Sequence, residues 1–109
     1  MLQKTIAIDN AELTTYVLEN YPEIDPNRKR PAVIICPGGA YKLLSNTETE
    51  AIAVKMMALG FHAFVLRYSI KPAIFPQSLI ELAKCVQLIR EHSKNWHIDE
   101  KKLIVAGFS

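Results

Sequence analysis

Long hydrophobic runs are missing from this chain of 109 residues. No stretch approaches the roughly 20 apolar residues needed to span a bilayer. The N-terminal segment MLQKTIAIDNAEL has no apolar core of the kind a secretory signal requires. Neither a membrane span nor export is therefore expected, and the cytoplasm is the default compartment. Cysteine is scarce, with Cys36 and Cys85 the only two. One falls in an apolar strand and the other in the apolar stripe of a helix, which speaks against a disulfide framework and for two buried free thiols in a reducing compartment. The two Cys are too far apart for zinc-ligand spacing, so no metal is expected. A strong excess of one charge is also lacking, since the net charge is only +2. Arg28, Lys29 and Arg30 form the one basic cluster and read as a solvated loop, so no nucleic-acid partner is implied. Repeats and low-complexity segments are absent. What remains is a globular composition, half apolar and 22% charged, able to build one small core.

The chain opens with two short β-rich runs, Lys4 to Ile8 and Glu12 to Glu19. They are separated by a turn at Asp9, Asn10 and Ala11, and so form an antiparallel hairpin. Asn20 to Pro31 is a loop with internal prolines. Ala32 to Pro37, AVIICP, is a continuous apolar run, as expected of a strand covered on both faces. A helix follows, capped by Asn46 or Thr47, with Ile52, Met56 and Leu59 on one stripe and Gly60 as its stop. Met56 and Met57 read as core filler. His62 to Tyr68 is a second buried strand. Gln77 to about Lys94 is a helix with Leu79, Leu82, Ala83, Val86 and Ile89 at helical spacing. Trp96 behind it reads as a packing residue. After a turn from Asn95 to Glu100, KLIVAGF forms the last strand. The order is a hairpin, then β-α-β-α-β with parallel strands and right-handed crossovers, an α/β domain.

Parallel α/β sheets carry ligands at the carboxyl ends of their strands. Three such ends hold the unusual residues: PGGAY (Pro37 to Tyr41), RYSIKP (Arg67 to Pro72) and GFS (Gly107 to Ser109). A Gly-x-Ser is weak by itself and is equally an ordinary strand end. Directly after a buried strand it is also the first half of a nucleophile elbow, in which Gly107 permits a sharp turn and the serine hydroxyl stands above the sheet. The paired glycines Gly38 and Gly39 let the backbone present N–H groups toward a developing oxyanion, each worth about 3 kcal/mol. A dinucleotide fingerprint and a Walker lysine are both absent, so a nucleotide site fits poorly.

Taken together and in order, these motifs resemble the N-terminal part of an α/β-hydrolase, of the small esterase and lipase type that includes acetyl esterases and hormone-sensitive-lipase-like enzymes. The Pro37-Gly38-Gly39-Ala40 segment, followed by Tyr41, stands where that group has His-Gly-Gly-Gly. LRYSIKPAIFPQSLIEL is similar to its Tyr-Arg…Phe-Pro segment, with Arg67 and Tyr68 in inverted order. IDEKKLIVAGFS is similar to the strand that carries the elbow.

The resemblance implies a three-layer sandwich truncated after its fifth strand, with residues 1–109 as the N-terminal part of a single domain. It implies sheet order 1-2-4-3-5, with AVIICP beside KLIVAGF. Ser109 would be the nucleophile, Gly39 and Ala40 the oxyanion donors, Gly38 and Gly107 the glycines supporting the turns, and Tyr41 a pocket wall or loop cover. Arg67 is expected to pin a loop. No cofactor is implied, and the substrate would be a small carboxylic ester such as an acetylated sugar. In this group the acid and histidine follow the serine. His62, His92 and His97 read instead as surface or capping residues away from the site, so these residues alone are expected to be inactive. The bare edge of the last strand is expected to promote self-association. A prolyl-oligopeptidase-type peptidase and a non-catalytic α/β binding module stay open as alternatives.

Overall fold

The computed structural model describes residues 1–21, 23–37, 46–69 and 76–107. Its elements in chain order are β1 (Leu2–Ile8), β2 (Ala11–Val17), β3 (Arg30–Cys36), α1 (Asn46–Ala58), β4 (His62–Arg67), α2 (Gln77–Glu91) and β5 (Ile98–Gly107). They form a five-stranded sheet in the order β1-β2-β4-β3-β5.

The hairpin closes on two residues, with Ile8 opposite Ala11 and Asp9 at φ 52°, a conformation Asp tolerates better than most residues. Its second strand docks antiparallel on β4, while β4, β3 and β5 run parallel. The two central strands are the two unbroken apolar runs. Ala32 to Ile35 of β3 and His62 to Leu66 of β4 are all fully or almost fully buried, because each face of those strands is covered by a helix.

The covering follows from connectivity. The crossover from β3 steps one way along the sheet to β4, and the crossover from β4 steps back past β3 to β5. Right-handed connections in opposite directions place their helices on opposite faces. Accordingly, Ala53, Ile52, Met56 and Met57 of α1 pack on Val33, Ile35, Ala63 and Val65. Cys85 and Ile89 of α2, with Leu82, Val86 and Leu88 beside them, pack on Ile34, Phe64 and Leu66. Trp96 completes that second layer, 6% exposed, with its ring centroid 5.6 Å from Phe64. The methionines and the tryptophan thus do the packing expected of them.

The expected helix stripes meet the sheet in part, through Ile52 and Met56 of α1 and Leu82, Val86 and Ile89 of α2. Leu59 is 67% exposed and Leu79 is 56% exposed, and Ala83 also faces out. Ala53 on α1 and Glu81 on α2 also turn inward, Glu81 in line with Cys85 and Ile89 at four-residue spacing. The helix α1 ends as its glycine dictates. Gly60 takes φ 92°, its N–H bonds the Met57 carbonyl, and the Phe61 N–H bonds the Met56 carbonyl, a Schellman closure.

The last strand is longer than expected. Arg30 pairs with Ile98, but Ala32 already pairs with Leu103, so Asp99 to Lys102 bulge out of the ladder. Regular pairing then runs from Leu103 to Gly107, the segment recognised from its apolar run. On the open side of β5, Ile104 is 45% and Val105 47% exposed.

The basic cluster is not wholly a solvated loop. Arg30 begins β3, half-buried, and its Nη1 donates to the Gly60 carbonyl at 3.2 Å. Burial, helped by nearby Arg28, lowers its pKa below the usual guanidinium value.

Candidate active site at the carboxyl ends of the strands

Cys36 and Gly107 are register partners at the ends of β3 and β5. The chain therefore leaves β3 through Pro37 and leaves β5 through Gly107 at adjacent points on one edge of the sheet. Of the residues expected to make up the site, Gly107 is the one described, and among the described residues nothing lies within 4 Å of where a Cβ would stand on it. Gly38, Gly39, Ala40, Tyr41 and Ser109 lie outside the described residues. The edge also matches the topological rule. The helices that follow neighbouring β3 and β4 lie on opposite faces, the arrangement in which such sheets take ligands at the carboxyl ends of their strands.

Two features line this edge. Tyr68, just past β4, donates its hydroxyl to the Pro37 carbonyl at 2.5 Å. Beside it, the carboxylate of Glu81 on α2 is fully buried and accepts from the Ser69 N–H at 2.7 Å, from the Ser69 hydroxyl, and from Gln77 Nε2 at 3.3 Å. A buried carboxylate is tolerable only when so many donors meet it. Sequence reading missed this group. The signal was present: Glu81 sits four residues from Gln77 and four from Cys85, a charge within the inward stripe of a helix. Arg67 donates Nη1 to Thr14 Oγ1 at 2.9 Å and so braces neighbouring strand β2.

Cys36 is the other nucleophile type near this edge. Burial raises its thiol pKa, and Cys85 behind it is pushed up to about 12 by burial and by Cys36. Both are free. A thiol with a raised pKa is a poor nucleophile at neutral pH. Among the described residues no three His, Cys, Asp or Glu side chains converge as metal ligands, and no helix is long and apolar enough to cross a membrane.

The histidines lie away from the carboxyl edge, as expected, but His62 is not a surface residue. It is completely buried at the start of β4. The Leu18 N–H donates to its Nδ1 at 3.0 Å, and its Nε2 lies 3.1 Å from the His97 carbonyl. A backbone N–H can only donate, so Nδ1 must accept and the proton sits on Nε2. The His97 carbonyl also accepts the Arg30 N–H at 3.0 Å, and His97 turns at φ 55° to present it. One neutral imidazole and the carbonyl it meets thus tie together the end of β2 and the starts of β3, β4 and β5. His92 instead caps α2, its Nδ1 3.0 Å from the Leu88 carbonyl and its ring stacked 4.4 Å from Trp96. A cavity of about 30 Å³ beside Asn20, Ile24 and Arg30 lies at this same amino edge.

Desolvation is the main cause that lowers the His62 pKa. The unfolded chain then binds a proton at higher pH than the folded one, so this contribution to stability is full above about pH 6.5 and is lost as pH falls below it. The urea midpoint is expected to fall between pH 7.5 and pH 5. In His62→Asn, whose amide does not titrate, that part of the fall should vanish. An equal fall in wild type and variant would assign the acid sensitivity to other groups.

A sheet ordered β1-β2-β4-β3-β5, with one helix on each face and its motifs at the carboxyl edge, is the architecture of an α/β hydrolase. The chain belongs to the BD-FAE family, whose model matches residues 18–109. It is similar over its whole length to an α/β hydrolase enzyme from a Medee basin deep-sea metagenome library, with 39% identity and a TM-score of 0.94. A carboxylesterase from Lactobacillus plantarum aligns over the whole chain with 30% identity and a TM-score of 0.92. In sequence it is 33% identical over 85 residues to endo-1,4-beta-xylanase B of Butyrivibrio fibrisolvens, covering 74% of this chain and 13% of that protein. The chain spans 47% and 42% of the two solved relatives, about half their length.

Proposed function

We propose that the chain is the N-terminal, nucleophile-bearing part of a single serine-hydrolase domain acting on carboxylic esters. The carrying observation is the Cys36–Gly107 register pair. It sets the exit of the Gly-Gly segment beside the exit of the Gly-x-Ser segment, as acyl transfer needs donors and nucleophile on one edge. In this reading Ser109 Oγ attacks the ester carbonyl, and the backbone N–H groups of Gly39 and Ala40 hold the resulting oxyanion. Gly38 and Gly107 allow the two turns, and Tyr41 walls the pocket. The carbonyl then re-forms, the alcohol leaves with a proton, and water releases the acid from the acyl-enzyme. The base and its orienting acid lie outside these residues, because His62, His92 and His97 all sit away from the carboxyl edge, so the 109 residues alone turn over no ester. A short acyl ester on a sugar is the substrate class. A similar solved structure, an acetyl ester-xyloside bifunctional hydrolase from Caldicellulosiruptor lactoaceticus with 30% identity and a TM-score of 0.82, supports that choice. The free thiols support a reducing, cytoplasmic setting.

The reading is tested by treating the full-length polypeptide with a fluorophosphonate, digesting it, and mapping the adduct by mass spectrometry. The expected result is a single label on Ser109. A label on Ser45, Ser69 or Ser78 would identify a different nucleophile.

A further inference from the structure

We propose that Tyr68 is a positioning residue for the turn after β3, acting through the Pro37 carbonyl and resting on the esterase reading above. Pro37 is buried and lies one residue beyond the last ladder pair, Cys36 with Gly107. Its carbonyl receives the Tyr68 hydroxyl at 2.5 Å. A peptide unit is planar, so holding that oxygen sets the plane in which the chain leaves β3 toward the Gly-Gly segment. Tyr68 is itself held. Its ring packs against the α2-side core, and the next residue is clamped through both its N–H and its hydroxyl to the buried Glu81. Gln77, one turn earlier on α2, braces the same carboxylate. The connection thus runs from α2 through Glu81 and Ser69 to Tyr68, passes from the end of β4 to the end of β3, and stops on the strand exit that leads to the proposed oxyanion donors. Small displacements of such donors lower the rate far more than substrate affinity, because the oxyanion exists only in the transition state.

The test compares wild type, Tyr68→Phe and Ser69→Ala of the full-length polypeptide. p-Nitrophenyl acetate serves as substrate, and an aryl trifluoromethyl ketone, which adds to a serine to give an oxyanion, serves as the mimic. Tyr68→Phe removes one hydroxyl and keeps the ring. The expected result is kcat lowered about 10-fold or more with KM within about twofold, and ketone affinity lowered by the same factor as kcat. Ser69→Ala, which loosens the clamp while leaving the Tyr68 hydroxyl, should shift both in the same direction by less. A Tyr68→Phe enzyme with wild-type kcat and ketone affinity overturns the proposal and leaves the esterase reading intact. So does a loss of kcat explained by the unfolded fraction alone, with ketone affinity unchanged in the folded molecules. If Tyr68→Phe fails to fold, ketone affinity in Ser69→Ala decides, and no change there overturns the proposal. A wild type that neither hydrolyses the ester nor binds the ketone overturns the esterase reading and this proposal with it.

Discussion

Ser109→Ala in the full-length polypeptide is expected to lower kcat on a short aryl ester by roughly 10⁵–10⁶-fold, with folding unchanged. That factor corresponds to about 7–8 kcal/mol of lost transition-state stabilisation. The size follows from the role. A nucleophile splits one difficult displacement into two easier ones, and the base has no hydroxyl to activate once its oxygen is gone. What survives is the contribution of binding and the oxyanion site alone, about 10³–10⁴ over water. The free thiols do not substitute, because burial raises the pKa of Cys36 and of Cys85 and suppresses their thiolates. Steady-state kinetics on the purified variant checks the expectation, with Ser78→Ala as control. A Ser109→Ala enzyme keeping more than a few per cent of wild-type kcat would remove the serine mechanism.

The second large effect concerns association. A 109-residue polypeptide of this sequence is expected to self-associate through β5. That strand is an edge of the sheet among the described residues, and Ile104 and Val105 lie on its two faces about half exposed. An edge offers unpaired N–H and C=O groups to any similar strand, and apolar side chains beside them reward the pairing. Burying the exposed half of those side chains in both copies of a dimer is worth about 3–6 kcal/mol in total. Replacing both by lysine should therefore weaken association by roughly 10²–10⁴-fold. Light scattering across a concentration series measures it. A wild-type chain that stays monomeric at every concentration would show that this edge is protected by something other than charge.

The elements that could be read from the chain directly were those whose residues interact with near neighbours. The unbroken apolar runs at Ala32 to Pro37 and His62 to Leu66 declared strands covered on both faces, and both are central. Gly60 ended α1 because only glycine takes φ 92° there at no cost. The hairpin at Asp9 and the order of strands and helices were legible for the same reason. The candidate site was legible in part. The Pro-Gly-Gly and Gly-x-Ser segments drew notice because they follow buried strands, and the family likeness supplied their roles.

Other features depended on partners far away in sequence. Periodicity identified both helices and much of their facing stripes, but Leu59 and Leu79 keep the period and still point to water. Which residues face in is set by what each helix meets on the sheet, and Glu81 turns inward because Ser69, twelve residues earlier, offers it two donors. His62 looked like a polar strand start. It is buried because Leu18 and His97, 44 and 35 residues away, complete both ring nitrogens. The chain by itself determined which segments are strands and helices, and which residue types stand at the strand ends, because those follow from local backbone preference and side-chain patterning. Only the tertiary structure decided that Cys36 faces Gly107, that Tyr68 reaches Pro37, and that a charged and a titratable side chain sit in the core, because the hydrogen bonds that make each arrangement favourable join parts of the chain that only folding brings together.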